Sequence, residues 1–375
     1  MKVDAFEIEK WMNEYEDDAV YNMAETCVHP FSLKELMKLG NQGYAEFMDE
    51  LGDIQMTYGA IVGDEKYKAN IASNMYETMH ADNIISMNGA IGANHLVLYT
   101  LVEPGDEVIC VHPTYQQLHS VPKSLGANVK LLELTAEDAY LPNLDKLEEM
   151  VSDQTKLIII NNPNNPTGSV MGRKHLEAIV SIAKKHDAYI LADEVYRNLL
   201  QDPNNRVPSI VDMYEKGIST GSMSKALSLA GLRLGWIAAP TPIVEACLDS
   251  RDYTTISCGV IDEEIAAYAL SHYDKILARN TEIIQKNLHI LDDWMNREPK
   301  MHYTKPQGGT TAMLSFDYDL SSVDFCKGLY ELNGGFVAPG SCFGMEGMVR
   351  IGYAGDTEIL REGLEKFSEY LRTLE

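Results

Sequence analysis

Apolar and polar positions divide the chain into segments of two kinds. Short, largely apolar runs recur at 84–87, 107–111, 128–132, 156–160, 188–192, 217–220 and 235–238. Lys156-Leu-Ile-Ile-Ile160 is the clearest, nearly all apolar and short, as expected of a strand covered on both faces in a parallel sheet. Between these runs the spacing changes to threes and fours. Ala90 to Leu101 predicts an apolar helix, and Arg173 to Asp187 places Leu176, Ile179, Val180 and Ala183 on one stripe. Strands alternating with helices predict an α/β domain with a mostly parallel, seven-stranded sheet between helices.

Outside this block the pattern differs. Residues 1 to about 40 predict short helices and an irregular segment. Asp262 to Trp294 predicts one long helical run, followed by weaker strands near Thr311–Ser315 and Val349–Gly352. The closing helix carries Leu360, Leu364, Phe367 and Leu371 on one face. These elements predict a smaller α+β domain built from both termini. The expected division is 1–40 joining the small domain, 41–262 as the large domain and 263–375 as the small C-terminal domain.

Length and composition narrow the classes. A chain of 375 residues is long for one core and suits two domains. A formal net charge of -25 disfavours nucleic acid and anionic lipid as partners. The ten histidines show no paired spacing that suggests a metal site. Cys27, Cys110, Cys247, Cys258, Cys326 and Cys342 lie far apart, which fits buried thiols better than a disulfide framework. The first ten residues are charged and have no apolar signal core. No apolar run reaches the ~18 residues that a membrane span needs. The expected address is the cytoplasm.

Candidate chemistry gathers just after the predicted strands. Ser222-Met-Ser224-Lys225 is followed eight residues on by Arg233. A lysine amine can form a Schiff base with an aldehyde, and hydroxyls with an arginine can hold a phosphate. Pyridoxal phosphate (PLP) carries both groups. Ser-x-x-Lys is also the nucleophile motif of penicillin-binding proteins, but the Ser-Asp-Asn and Lys-Thr-Gly that must accompany it do not occur. A surface lysine is the other alternative.

Gly89-Ala90-Ile91 is either a tight turn or a helix N-terminus whose free N–H groups suit a phosphate. Tyr115 can lie flat on an aromatic cofactor ring or be an ordinary half-buried tyrosine. The run Asn161-Asn-Pro-Asn-Asn165-Pro-Thr-Gly168 directs side-chain amides at a cleft and is stiffened by two prolines. Asp193 ends a strand, where a carboxylate is costly unless paired. A pyridinium N–H would pair it; otherwise it caps the next turn. Tyr196 is placed to reach the same ring. Arg350 lies in an apolar strand, as a snorkelling edge residue or a buried carboxylate clamp.

In this order and spacing, Gly89-Ala90, Pro113-x-Tyr115, Asn165-Pro-Thr-Gly168, Asp193-Glu-x-Tyr196, Ser222-x-x-Lys225 with Arg233, and Pro339-Gly340-x-x-Phe-Gly344 resemble the class I/II aminotransferases of PLP-dependent fold type I. The resemblance runs from about Tyr58 to Arg350. It implies transfer of an amino group between an L-amino acid and a 2-oxo acid, with PLP and pyridoxamine phosphate as alternating cofactor forms. Lys225, Asp193 and Tyr115 would be catalytic. Lys225 would hold PLP as an aldimine, Asp193 would keep the pyridine nitrogen protonated, and Tyr115 would stack on the ring. Asn165 and Tyr196 would bond the ring hydroxyl oxygen. The amides of Ala90 and Ile91, with Ser222, Ser224 and Arg233, would hold the phosphate. Arg350 would grip the substrate α-carboxylate, with Asn165, Thr26 and Glu25 also at the substrate. Tyr58 would reach the neighbour's phosphate, which implies a homodimer; Thr255 and Ser257 are further cross-subunit candidates.

Three stretches depart from the family pattern. A Gly-x-Pro-type segment is replaced by Ala24-Glu25-Thr26-Cys27, the Leu-Arg after Gly63 is Tyr67-Lys68, and the aromatic pair after Gly308-Gly309 is Thr310-Thr311. Trp11, Arg251-Asp-Tyr-Thr-Thr255 and Gly308-Gly-Thr-Thr311 resemble the capreomycidine synthase group. That narrower resemblance implies an arginine derivative as substrate, with Glu25 meeting a cationic side chain; the alternative leaves Glu25 in solvent. Lyase or cyclase chemistry on the same cofactor stays open. A PLP-binding regulator without turnover is disfavoured, because the chain is acidic and has no basic DNA-binding segment.

Overall fold

A computed structural model describes residues 2–41 and 43–375. The N-terminal part contains α1 (Glu7–Tyr15), β1 (Tyr21–Asn22), α2 (Leu33–Gly40), α3 (Tyr44–Gly52) and α4 (Glu65–Met75). The alternating block follows: β2 (Ile84–Met87), α5 (Gly89–Leu101), β3 (Glu107–His112), α6 (Gln117–Leu125), β4 (Asn128–Glu133), α7 (Leu144–Met150), β5 (Thr155–Asn161), α8 (Arg173–Lys185), β6 (Tyr189–Asp193), β7 (Gly217–Ser222) and β8 (Gly235–Ala238). Then come α9 (Thr241–Arg251), α10 (Val260–Ser271) and α11 (Tyr273–Met295). The C-terminal part holds β9 (Met301–Tyr303), β10 (Thr311–Phe316), α12 (Ser322–Asn333), β11 (Gly335–Phe336), β12 (Ala338–Pro339), β13 (Met348–Gly352) and α13 (Thr357–Thr373).

Seven strands form the large sheet in the order β2-β8-β7-β6-β5-β3-β4. Only β8 runs against its neighbours; β3 to β7 pair in parallel. Strand residues point alternately to the two faces, so apolar runs feed two separate cores. Ile158 and Ile160 enter one with Leu176 and Ile179 of α8. Leu157 and Ile159 enter the other with Leu96 and Val97 of α5. Both faces are covered, which explains why these strands lack a polar side.

The smaller sheet is antiparallel, in the order β12-β13-β10-β9. Its core gathers Trp294 of α11, Phe325 of α12 and Phe367 of α13. The N-terminal segment joins it: Tyr21 and Asn22 pair in parallel with Gly335 and Phe336, and Trp11 is buried in the same core. The helical run expected over Asp262–Trp294 is two helices. The chain breaks at His272, where ψ is 24° rather than helical, and this lets α10 pack on α4 while α11 turns to the small sheet.

The parallel strands β3, β5, β6 and β7 all end on one edge of the large sheet, and α5 begins there. Loops at such carboxyl ends line a crevice. Gly235 lets α5 approach, since a Cβ there would lie 2.7 Å from the Ala90 nitrogen.

Candidate active site

A cavity of about 490 Å³ opens at this edge, between the strand ends, α1 and the segment from Ala24 to Cys27. Glu25, Thr26, Ala90, Ile91, Tyr115, Asn165, Asp193, Tyr196, Ser222, Ser224, Lys225, Arg233 and Arg350 all line it. Tyr58 does not; it lies on the surface, 66% exposed.

Asp193 is the last residue of β6 and is buried. Its Oδ2 accepts from Asn94 Nδ2 at 2.8 Å and its Oδ1 from the Val195 N–H at 3.2 Å. Burial pushes this carboxyl up to about 6, although both donors and Lys225 act the other way. Asn94 is itself fixed, because its Oδ1 accepts from Thr220 Oγ1 at 2.6 Å. All direct donors to Asp193 are neutral, so a cationic N–H in the cavity would complete its set.

Lys225 sits three residues past the end of β7. Its Nζ donates to Thr26 Oγ1 at 2.7 Å and Cys27 Sγ at 3.4 Å, and lies 3.8 Å from Glu25 Oε1. Burial acts to lower the amine, but Cys27, Tyr196 and Glu25 outweigh it and hold the amine above its ordinary value. Burial also lifts the Cys27 thiol, to about 11. Burial acts against the charge on Glu25, yet Lys225 and the N–H groups of Cys27 and Thr26 hold this carboxyl below its usual range. Glu25 lines the cavity while its side chain stays 43% exposed, so it meets both the cavity and solvent.

Gly89 has φ +70°, a left-handed turn that starts α5 and leaves its first N–H groups facing the cavity. Arg233 stands beside it: a Cβ on Gly89 would lie 3.1 Å from Arg233 Nη2. Ser222 ends β7, and its Oγ accepts from the Ser224 N–H at 3.2 Å. Two N–H ends, two hydroxyls and a guanidinium thus share one corner.

Arg350 on β13 is only 3% exposed, which excludes the snorkelling alternative. It donates to Asn165 Oδ1 at 3.3 Å and to the Ala24 carbonyl at 3.0 Å, while its Nε has no partner. Among the described residues no carboxylate pairs with it. Burial lowers its guanidinium from the ordinary value. The Asn162–Pro163 and Asn165–Pro166 bonds are cis, and the Asn165 N–H donates to Asn161 Oδ1 at 2.6 Å. Tyr115 packs on Phe6, with ring centroids 4.9 Å apart, and donates to Glu9 Oε1 at 2.9 Å. Burial and Glu9 push its hydroxyl far above the ordinary value.

The sequence-level reading missed Asn94, Glu9, Asn13 and Glu16, all of which line the cavity. Asn94 carried a signal, as an amide inside an otherwise apolar helix, where a buried polar group needs a partner. Glu9 and Asn13 of α1, and Glu16 just past its end, carried none, because only the fold brings that helix across the strand ends.

The sequence model of the aminotransferase class I and II family matches residues 33–367. The chain belongs to this family. Capreomycidine synthase of Streptomyces vinaceus is 29% identical over 367 residues, covering 98% of this chain and 93% of that protein. An aspartate aminotransferase of Pyrococcus abyssi is 30% identical over 354 residues, covering 88% of each. The crystal structure of a PLP-dependent aminotransferase from Streptococcus suis superposes with a TM-score of 0.97 at 43% identity, covering 100% of this chain and 99% of that one. A PLP-dependent cyclase, OrfR, superposes with a TM-score of 0.91 at 26% identity, covering 100% and 98%. The family and its solved members are PLP-dependent, and the cavity fits that cofactor: an amine for its aldehyde, an oxyanion corner for its phosphate and a buried carboxylate lacking a cation.

Proposed function

We propose that this member of the class I and II aminotransferases moves an amino group between an L-amino acid and a 2-oxo acid. One observation carries the reading. The Lys225 amine, the buried Asp193 carboxylate and the Arg350 guanidinium, whose Nε has no partner, face one cavity. PLP, when bound, supplies an aldehyde that captures the amino group and a ring that takes up the electron pair left by the α-proton.

The chain's residues do the rest. Lys225 would hold the aldehyde, and its amine stands to move the proton at the substrate Cα. Asp193 would hold the proton on the ring nitrogen, and Asn94 and the Val195 N–H hold Asp193. Tyr115, Asn165 and Tyr196 would hold the ring. The Ala90 and Ile91 amides, Ser222, Ser224 and Arg233 would hold the phosphate. Arg350 grips the α-carboxylate and so orients Cα–H toward Lys225. Tyr58 reaches the site of a second copy, with Thr255 and Ser257 nearby, so the working unit is a homodimer. No helix among the described residues is long and apolar enough to cross a membrane.

A second reading has its own support. Glu9, Glu16 and Glu25 line the same cavity, whose cations, Lys225, Arg233 and Arg350, all have tasks above. A distal carboxylate would find no further cation there, whereas a cationic side chain would be welcomed. This favours a cyclase or lyase acting on an arginine derivative. Single-turnover incubation of the PLP form with amino acids decides. Stoichiometric pyridoxamine phosphate and 2-oxo acid are expected; a cyclised product, or ammonia with pyruvate, and an unchanged cofactor would replace transamination with the second reading.

A further inference from the structure

Thr26 stands in the segment expected to touch substrate, but its hydroxyl is turned to the lysine. We infer that Thr26, seconded by Cys27, is a positioning residue that anchors the Lys225 amine whenever the amine is not covalently engaged. The inference rests on Lys225 being the cofactor lysine.

An ammonium has three N–H donors and needs three acceptors when buried. Lys225 is half-buried; it donates to Thr26 Oγ1 at 2.7 Å and Cys27 Sγ at 3.4 Å, and Glu25 Oε1 stands 3.8 Å away as an ion-pair partner beyond hydrogen-bond reach, all from three consecutive residues. That segment is held from several sides. Its own Glu25 Oε1 accepts from the N–H groups of Thr26 and Cys27, at 2.6 and 2.7 Å. The Thr26 carbonyl accepts from Thr310 Oγ1 at 2.7 Å, and the Ala24 carbonyl from Arg350. A Cβ on Gly352 would overlap the Glu25 carbonyl oxygen, so only glycine permits the approach. A β-branched side chain on a fixed backbone has few rotamers and presents its oxygen at one point.

The lysine has the opposite character. Its four-carbon stem is flexible, and an amine that wanders by an ångström loses much of its reactivity toward a fixed carbon. Thr310 fixes the Thr26 backbone, and the Thr26 side chain is thereby held at the lysine.

The test uses Thr26→Val, which keeps the shape, and Thr26→Ser, which keeps the hydroxyl. In the PLP-free protein, acetylation of Lys225 by acetic anhydride is followed by peptide mass spectrometry at neutral and alkaline pH. Losing a charge-assisted acceptor lowers the amine's proton affinity, so labelling of the valine variant at neutral pH should rise about tenfold. In the PLP-loaded enzyme its kcat should fall about tenfold, with KM within about twofold of wild type. Serine should restore both. A valine labelling profile that overlays the wild type, a serine variant that behaves like valine, or a raised KM with unchanged labelling would each overturn the anchor. The cofactor reading is checked separately by loss of the visible absorbance in Lys225→Ala. Because labelling is done without PLP, failure of one idea is told apart from failure of the other.

Discussion

Asp193 shows how one residue ties stability to function. Its carboxyl, ordinarily near 3.8, is raised to about 6 by burial. The folded PLP-free chain therefore binds more protons than the unfolded chain between those values. Its stability falls as pH rises through this window and stays lowered above it. Asp193→Asn should abolish this dependence, so that the variant's stability relative to wild type rises by on the order of 2 kcal/mol between about pH 4 and neutral pH. The same substitution should cost the loaded enzyme at least about a hundredfold in kcat, since the ring nitrogen loses its anionic partner. Thermal melts across pH check the first part and steady-state rates the second; a pH-independent melting difference would refute the assigned cause. The candidacy of Asp193 was legible because a carboxylate after Tyr189-Ile-Leu-Ala192 is conspicuous. Its state was not legible, because Asn94 lies 99 positions away and Thr220 27 positions further along the chain, and only folding sets their distances.

Among elements, α1 does more than its position at the start of the chain suggests. Trp11 is buried in the small-sheet core, donates from Nε1 to the Val337 carbonyl at 3.0 Å and stacks on Phe336. The same segment reaches the large-sheet side, where Gln116 donates to the Ala5 carbonyl at 2.7 Å and Tyr115 to Glu9. Helix α1 is thus a bridge as well as one wall of the cavity. Trp11→Ala should destabilise the protein by about 3–5 kcal/mol in denaturant titrations. A loss under about 1 kcal/mol would mean that α1 is not part of that core. Periodicity located α8 and α13 closely, because each has a single apolar stripe facing one core. It merged α10 and α11 for a related reason. Both are apolar enough to continue the pattern, and the break at His272 reflects a change of packing partner rather than a breaker residue.

For the whole molecule, charge and surface pattern act against each other. The chain carries -25, yet Met56, Tyr58, Ile61, Tyr253 and Ile256 are exposed. In the proposed homodimer this apolar set would face a second copy. Association then has to overcome repulsion between two strongly acidic chains, and salt screens that repulsion. Sedimentation equilibrium should show a dimer whose affinity rises with ionic strength. Weakening with added salt would point to charge pairing, not apolar contact, at the interface.

The sequence alone determined the α/β architecture, the covered parallel strands and the residues gathered at their carboxyl ends. These follow from short-range rules: alternation, helical period and the cost of placing a charged or polar side chain at the end of an apolar strand. Tertiary structure alone decided which neighbours those residues meet. It laid α1 and the 24–27 segment across the strand ends, buried Arg350 without a carboxylate, and set Thr26 against Lys225. Such contacts join positions about two hundred residues apart, and no local pattern encodes a distance in space.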